Sequence, residues 1–116
     1  MEINIIAAVA KNRAIGYNND MVYFIKEDLR RFKQLTTGHT VIMGRRTFHS
    51  LRKGALPNRR NIVLSRTETN FPDCDVYTSL SEALKHISDN EKAFIIGGAS
   101  LYKEGLAVAD RLYLTE

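Results

Sequence analysis

The hydrophobic positions of this chain form short runs separated by amphipathic stretches. The first run, Ile3–Ala10, is nearly all apolar, which is typical of a strand buried on both faces of a parallel sheet. Similar runs recur at Thr40–Met43, Asn61–Ser65, the short Val76–Tyr77, Ala93–Ile96 and Arg111–Thr115. The pattern therefore predicts six strands.

Helical spacing lies between these strands, and one stretch begins with a capping box, in which a serine and a glutamate three residues later satisfy backbone N–H groups. The predicted helices are Lys26–Leu35, one beginning at Thr47, one opened by the capping box Ser79–Glu82, and Ala99–Leu106. Strands alternating with helices predict an α/β fold with a mostly parallel sheet. Ligands in such folds bind beyond the carboxyl ends of the strands.

Length and composition fit one soluble globular domain spanning 1–116. The 116 residues are 44% hydrophobic and 26% charged, and no apolar run reaches the roughly 20 residues that cross a membrane. The amino terminus has no signal-peptide features, and a single cysteine makes no internal disulfide, so a cytoplasmic location is expected. That residue, Cys74, lies in a polar stretch that we interpret as a loop, and an incidental role is favoured over a catalytic one.

The net charge of +4 has two readings: a nucleic-acid binder, or a protein that holds a multiply phosphorylated cofactor. Basic residues concentrate between Lys26 and Arg66, partly beside a strand-to-helix turn. That distribution favours discrete anion sites, and no recognition helix or stacking platform indicates a nucleic-acid partner. The three histidines lack metal-ligand spacing, so no metal site is expected.

Asp28 is a candidate for proton transfer. It shares one predicted helix face with Phe32 and Leu35, at spacing i, i+4, i+7, so a carboxylate lies on an apolar stripe. Burial there would raise its pKa and suit it to acid–base chemistry or cation binding. An aspartate in a first helical turn is also favoured by the helix dipole alone, and the spacing leaves both readings open.

Two strand-to-helix turns could contact a ligand. The segment Gly44–Thr47 combines a glycine, two arginines and a helix start, which suits a phosphate, although such arginines are more often solvated. The pair Gly97-Gly98 could let the backbone touch a ligand or serve simply as a turn.

Arginines near the third strand are further candidates for anion binding. Ser65 and Arg66 follow the strand at its carboxyl end, where they could bind a 2′-phosphate, against the commoner case of a surface arginine. Arg59 and Arg60 follow the turn Leu56–Asn58, and either could hold a carboxylate.

Taken together and in order, these segments resemble dihydrofolate reductase along the whole chain. The matching segments are Ile6–Gly16, Glu27–Leu29 with Phe32-Lys33, Val41–Phe48, Leu56–Ser65, Ile95–Gly98 and Tyr102. The resemblance implies a three-layer fold with helices flanking a mostly parallel sheet. It also implies NADPH as cofactor and reduction of 7,8-dihydrofolate to 5,6,7,8-tetrahydrofolate in one-carbon and thymidylate metabolism, with dihydrofolate and antifolates as ligands.

The resemblance also implies residue roles. Asp28, supported by Thr115 and a water-bridging Tyr23, would promote protonation of the pterin. The other substrate-binding positions would be Ile6, Ala8, Leu29, Phe32, Arg59, Ile96 and Thr115. The cofactor-binding positions would be Ala8, Ile15, Gly16, Gly44, Arg45, Arg46, Thr47, Leu64, Ser65, Arg66, Ile96, Gly97, Gly98, Ala99, Ser100, Leu101 and Tyr102. The Gly97-Gly98 bond matches a non-proline cis peptide of the family.

The chain departs from the family pattern at several positions. Met21-Val22-Tyr23 replaces a common Met-Pro-Trp, Ile25-Lys26 replaces Leu-Pro, and Ser100 stands where some relatives have a phosphate-binding arginine. Family members continue with two more strands, so we expect the last strand to be an edge that could pair with another chain, although the family is monomeric. The alternatives are a catalytically weak folate- or NADPH-binding fragment and the reductase of riboflavin biosynthesis, which lacks the carboxylate matching Asp28.

Overall fold

A computed structural model describes residues 1–8, 32–51 and 54–115, with residues 7, 8, 114 and 115 described by their backbone alone. The strands are β1 (Glu2–Ala8), β2 (Thr40–Gly44), β3 (Arg60–Leu64), β4 (Cys74–Tyr77), β5 (Lys92–Gly97) and β6 (Arg111–Thr115). Residues 32–36 are helical and are labelled α1. The other helices are α2 (Arg45–Ser50), α3 (Leu80–Leu84) and α4 (Ala99–Leu106).

Among the described residues, six strands form one sheet in the order β4-β3-β2-β5-β1-β6, and each of their pairings is parallel. The predicted α/β class with a mostly parallel sheet is therefore confirmed. The connection from β2 through α2 to β3 leads towards the β4 edge of the sheet. The connection from β5 through α4 to β6 leads towards the opposite edge. Neighbouring strands β2 and β5 thus form a topological switch point, where open α/β sheets leave a crevice for ligands.

Both faces of the sheet are buried, because successive side chains of each strand point to opposite sides. One face, which includes Ile42, Ile62 and Ile95, packs against α3 and α4. The other face, which includes Val41, Met43 and Val63, packs against Phe32 of α1, Phe48 of α2 and the loop residue Phe71. The helices therefore lie in two layers around the sheet. Among the described helices, none is long and apolar enough to cross a membrane.

The predicted strand positions agree with the observed ones to within about two residues, except that Val9 and Ala10 lie outside the described part. The helix Ala99–Leu106 has its predicted bounds, and Ser79 caps α3 by accepting a hydrogen bond from the Glu82 N–H at 3.1 Å. Two predictions were wrong. Helix α2 begins at Arg45 rather than Thr47, because Gly44 already has the extended conformation of an N-cap.

The second wrong prediction concerns Cys74, which was expected in a loop. Cys74 is instead the first residue of β4. Every position of β4 is exposed or half-buried, so no long apolar run marks this strand in the sequence. Burial, followed by the charges of Asp73 and Asp75, raises the pKa of the Cys74 thiol to about 11. The sulfur is therefore protonated near neutral pH and a poor nucleophile, which supports the incidental role expected from the sequence.

Candidate active site

Two strand-to-helix turns meet at the switch point. Gly44 joins β2 to α2, while Gly97 and Gly98 join β5 to α4 through a cis peptide bond, which confirms the geometry expected from the resemblance. Gly97 has φ +144°, and a Cβ built there would lie 3.0 Å from the Thr47 Oγ1. A Cβ on Gly44 would lie 3.9 Å from the Gly97 carbonyl oxygen. The positive φ and the close Thr47 contact therefore favour glycine at position 97, whereas a Cβ at position 44 would make an ordinary van der Waals contact.

A cavity of about 590 Å³ opens beside these turns, at the carboxyl ends of the strands, and we name it the switch-point cavity. Its walls are Gly44, Arg45, Leu64, Ser65, Arg66, Thr67, Thr78, Ser79, Leu80, Ser100, Leu101, Lys103 and Glu104. An adjoining cavity of about 280 Å³ shares several of these residues and reaches Arg46, Thr47 and Gly98. The volume of the switch-point cavity lies in the range of small-molecule sites.

The switch-point cavity is suited to an anion. Arg45, Arg66 and Lys103 line it, and none of them forms an ion pair with a carboxylate of the described residues. Ser65 is buried, and its Oγ accepts a hydrogen bond from the Glu68 N–H at 3.0 Å, which leaves the hydroxyl proton available to a ligand. Unpaired cations and hydroxyl donors on one wall are the groups that bind phosphate.

Tyr102 supports the ends of two central strands. Its hydroxyl lies 2.9 Å from the Ile6 carbonyl oxygen on β1 and 2.8 Å from the Ile96 carbonyl oxygen on β5, so one proton is shared between two acceptors. Burial raises the pKa of Tyr102, and the phenol remains neutral. The Tyr102 hydroxyl, which the resemblance implies in the cofactor site, therefore holds the Ile6 and Ile96 carbonyl groups in place.

Arg59 and Arg60 have different partners. The Arg59 guanidinium donates to the Pro57 carbonyl at 2.9 Å and to the Thr36 Oγ1 at 3.0 Å, and lies 5.9 Å from the centroid of the Phe32 ring. No carboxylate of the described residues pairs with it, and burial lowers its pKa. A partly buried charge without a carboxylate partner among the described residues is suited to binding an anion.

Arg60, in contrast, is neutralised within the protein. It donates to Asp75 at 2.8 Å, to Glu91 at 2.9 Å and to the His86 carbonyl at 3.0 Å. Glu91 also accepts hydrogen bonds from the Thr40 hydroxyl and the Ser88 N–H. Of the two arginines that the sequence left open as carboxylate clamps, only Arg59 therefore lacks a protein carboxylate within the described ranges.

The predicted site residues fall into three groups. Around the two cavities the structure brings together Gly44, Arg45, Arg46, Thr47, Leu64, Ser65, Arg66, Gly98, Ser100 and Leu101. Gly97 and Ala99 adjoin them in sequence, Ile6 and Ile96 meet at Tyr102, and Phe32 lies beside Arg59. Outside the described residues lie Ile15, Gly16, Tyr23, Asp28 and Leu29, as do the side chains of Ala8 and Thr115.

Sequence reasoning missed several residues of the cavity wall. These are Thr67, Thr78, Ser79, Leu80, Lys103 and Glu104. Thr78 and Ser79 follow the carboxyl end of β4, so the rule that selected Ser65 and Arg66 after β3 would have found them. Lys103 and Glu104 carry no such signal, because charged residues on an exposed helix face usually contact only water.

Comparison with known proteins agrees with this geometry. The family model for dihydrofolate reductase matches residues 2–116. The chain is 45% identical to a dihydrofolate reductase of Bacillus subtilis over 115 residues, which cover 98% of this chain and 68% of the relative. It is 48% identical to a dihydrofolate reductase type 3 of Salmonella typhimurium over 116 residues, covering 99% and 71%. A bifunctional dihydrofolate reductase-thymidylate synthase of Paramecium tetraurelia is 40% identical over 105 residues, covering 90% and 23%.

Proposed function

This chain belongs to the dihydrofolate reductase family, and from that premise we propose that it reduces 7,8-dihydrofolate to 5,6,7,8-tetrahydrofolate with NADPH. The product would serve one-carbon and thymidylate metabolism, and antifolates would compete for the substrate site. The observation that carries the cofactor half of the proposal is the switch-point cavity, whose cations have no carboxylate partner in the described ranges and, with its hydroxyl groups, fit a phosphorylated dinucleotide.

Different residues around the cavity would hold different parts of the cofactor. Arg45, Arg46 and Thr47, at the start of α2, would bind the pyrophosphate. Ser65 and Arg66, at the carboxyl end of β3, would bind the 2′-phosphate of the adenosine ribose, because a hydroxyl donor and a guanidinium suit a dianion. This would favour NADPH over NADH. When bound, the cofactor supplies the hydride, and the protein supplies orientation and electrostatics.

The substrate tail would be held by Arg59. Its guanidinium retains N–H donors beyond the two that contact Pro57 and Thr36, and a carboxylate can accept two of them in parallel. The buried Phe32 ring beside Arg59 would pack on the aromatic part of the same tail.

The pterin end would lie near Ile6 and Ile96, whose carbonyl groups are joined through Tyr102. Asp28, together with Tyr23 and Thr115, would deliver a proton to N5 of the ring. These roles follow from the family membership and from the predicted apolar setting of Asp28, whose desolvation would raise its pKa above the ordinary value. The chain would act as a single domain.

Turnover is the direct test. Absorbance of NADPH should fall in the presence of dihydrofolate and stay constant without it. Asp28→Asn should lower kcat by about 100-fold or more, because general acid catalysis typically contributes roughly 10²- to 10⁴-fold. Asp89→Asn, at an exposed position outside the walls of the described cavities, is the matched control and should leave kcat unchanged.

Two outcomes would contradict the proposal in different ways. Tight binding of NADPH and an antifolate without turnover would leave a binding fragment rather than an enzyme. Undiminished turnover in Asp28→Asn would remove the assigned acid while leaving the reaction in place.

A further inference from the structure

Helix α4 contributes two opposite charges to the wall of the switch-point cavity. Ser100, Lys103 and Glu104 lie at spacing i, i+3, i+4, so they share one helix face, and all three line the cavity. Ser65 and Arg66 line the same cavity from the end of β3. A ligand in the cavity is therefore bounded by charged groups from both α4 and the β3 loop.

Within the described part of the chain, neither Lys103 nor Glu104 forms an ion pair. Both residues are exposed. A lysine in the last turn of a helix also stabilises the helix dipole, which would give Lys103 a purely structural role. That structural role would affect the stability of α4, but it would not change the affinity of the cavity for one ligand relative to another.

We propose that Lys103 and Glu104 set the strength with which the cavity selects a nucleotide bearing an extra phosphate on its adenosine ribose. Such a phosphate carries about −1.5 to −2 charges near neutral pH. Lys103 attracts it as a third cation beside Arg45 and Arg66, whereas Glu104 opposes it. The inference rests on the proposed use of NADPH and adds to it two residues that moderate the preference in opposite directions.

Cofactor titrations with variants of opposite charge effect test the inference. NADPH and NADH would be titrated separately into the wild-type chain, Lys103→Gln and Glu104→Gln, following cofactor fluorescence at low salt. Lys103→Gln should raise the Kd for NADPH by about two- to fivefold, and Glu104→Gln should lower it by about two- to fivefold, as single exposed charge interactions do. The Kd for NADH should change by less than about twofold, because it lacks the 2′-phosphate.

Two controls separate ligand recognition from helix stability and from net charge. Lys85→Gln removes one positive charge from a residue outside the cavity wall and should leave the NADPH affinity unchanged. The Lys103→Gln effect should diminish at about 0.5 M salt, since exposed charges are screened there, and Lys103→Arg should retain the NADPH preference. Melting of each variant without cofactor measures any loss of helix stability by itself.

The outcomes distinguish this inference from the proposed function. An equal change of both affinities in Lys103→Gln, or no change in either variant, would overturn the role of α4 while leaving NADPH binding intact. Failure of the wild-type chain to bind NADPH at all would overturn the proposed function and this inference with it.

Discussion

Arg59 and Arg60 are adjacent in sequence, yet their guanidinium groups have opposite surroundings. Arg60 begins β3 and reaches Asp75 and Glu91, whereas Arg59 reaches Thr36 beside α1 and has no carboxylate partner among the described residues. Sequence reasoning named both as candidates and could not choose. The choice depends on which face of the sheet each side chain follows and on what other segments place there.

The pair provides a matched test of the substrate site. Arg59→Gln should raise the KM for dihydrofolate by about 10- to 100-fold with little change in kcat, because it removes a charged hydrogen bond made equally before and during the reaction. Arg60→Gln should leave KM unchanged and lower the free energy of unfolding by about 1–2 kcal/mol. Steady-state kinetics and urea unfolding of both variants measure the two effects.

6-Methyl-7,8-dihydropterin, which lacks the whole benzoyl-glutamate tail and therefore has no carboxylate, provides the substrate-side control. Wild type and Arg59→Gln should then have similar KM values, since the carboxylate that Arg59 would bind is missing. A large difference between the two enzymes with this substrate would contradict the assigned role of Arg59.

From the hydrogen bonds of Glu91 we predict that the fold loses stability in acid. Desolvation alone would raise the Glu91 pKa, but hydrogen bonds from Thr40, Ser88 and Arg60 outweigh it and hold the pKa below its ordinary value. A depressed carboxylate pKa stabilises the fold above the unfolded value of about 4.3, and that contribution is lost as the pH falls through the folded pKa. Glu91→Gln should therefore lower the free energy of unfolding by about 1–2 kcal/mol at pH 7.

The same difference should narrow as the pH falls below the unfolded glutamate pKa of about 4.3 and then through the lower pKa of Glu91 in the folded state, where Glu91 loses its charge. Urea unfolding of wild type and variant at several pH values measures it. Glu82→Gln is the control, because its ion pairs with Lys85 and His86 are exposed. A constant wild-type-to-variant difference from about pH 7 to about pH 3 would show that the Glu91 charge is not the cause.

At the scale of elements, the strands could be predicted well because their signal is local. A strand buried on both faces reads as a continuous apolar run, and β2, β3 and β5 have such runs. β4 lies at the sheet edge with exposed and half-buried positions, so only Val76-Tyr77 could be recognised and Cys74 was misplaced. The start of α2 was missed by two residues, because no Ser, Thr, Asp or Asn caps it.

The contact of α4 with the sheet supplies a prediction at this scale. A Cβ on Gly105 would lie 2.6 Å from the Ile95 Cδ1 and 3.3 Å from the Ile5 Cδ1. Gly105→Ala gains about 1 kcal/mol of helix propensity, but overpacking in a buried interface costs about 1–3 kcal/mol. We expect a net loss of about 1 kcal/mol, because both isoleucines are buried and have little room to move.

A double-mutant cycle isolates this clash. Ile95→Val deletes the Cδ1 atom in question, so Gly105→Ala should be neutral or stabilising by up to about 1 kcal/mol in that background. Urea denaturation of the two single variants, the double variant and wild type measures the coupling. An equal effect of Gly105→Ala in both backgrounds would locate the strain elsewhere.

At the scale of the whole molecule, the site is assembled from chain segments that are far apart in sequence. The turns after β2, β3, β4 and β5 come together because parallel strands align their carboxyl ends and the connections diverge between β2 and β5. Sequence order and motifs could predict the first residues after each strand. They could not predict Lys103 and Glu104, which enter the cavity wall through the packing of α4 on the sheet.

This assembly predicts that a ligand of the cavity stabilises the chain as a unit, because it bridges elements that only the folded state brings together. At about 100 times its Kd, NADPH should add about 2.7 kcal/mol to the free energy of unfolding and raise Tm by about 10 °C. NADH at the same concentration should raise Tm less. The half-ligand 2′,5′-ADP should likewise raise Tm more than 5′-AMP, because the two molecules differ only in the 2′-phosphate. Equal shifts for both members of each pair would contradict selection of the phosphate by the switch-point cavity.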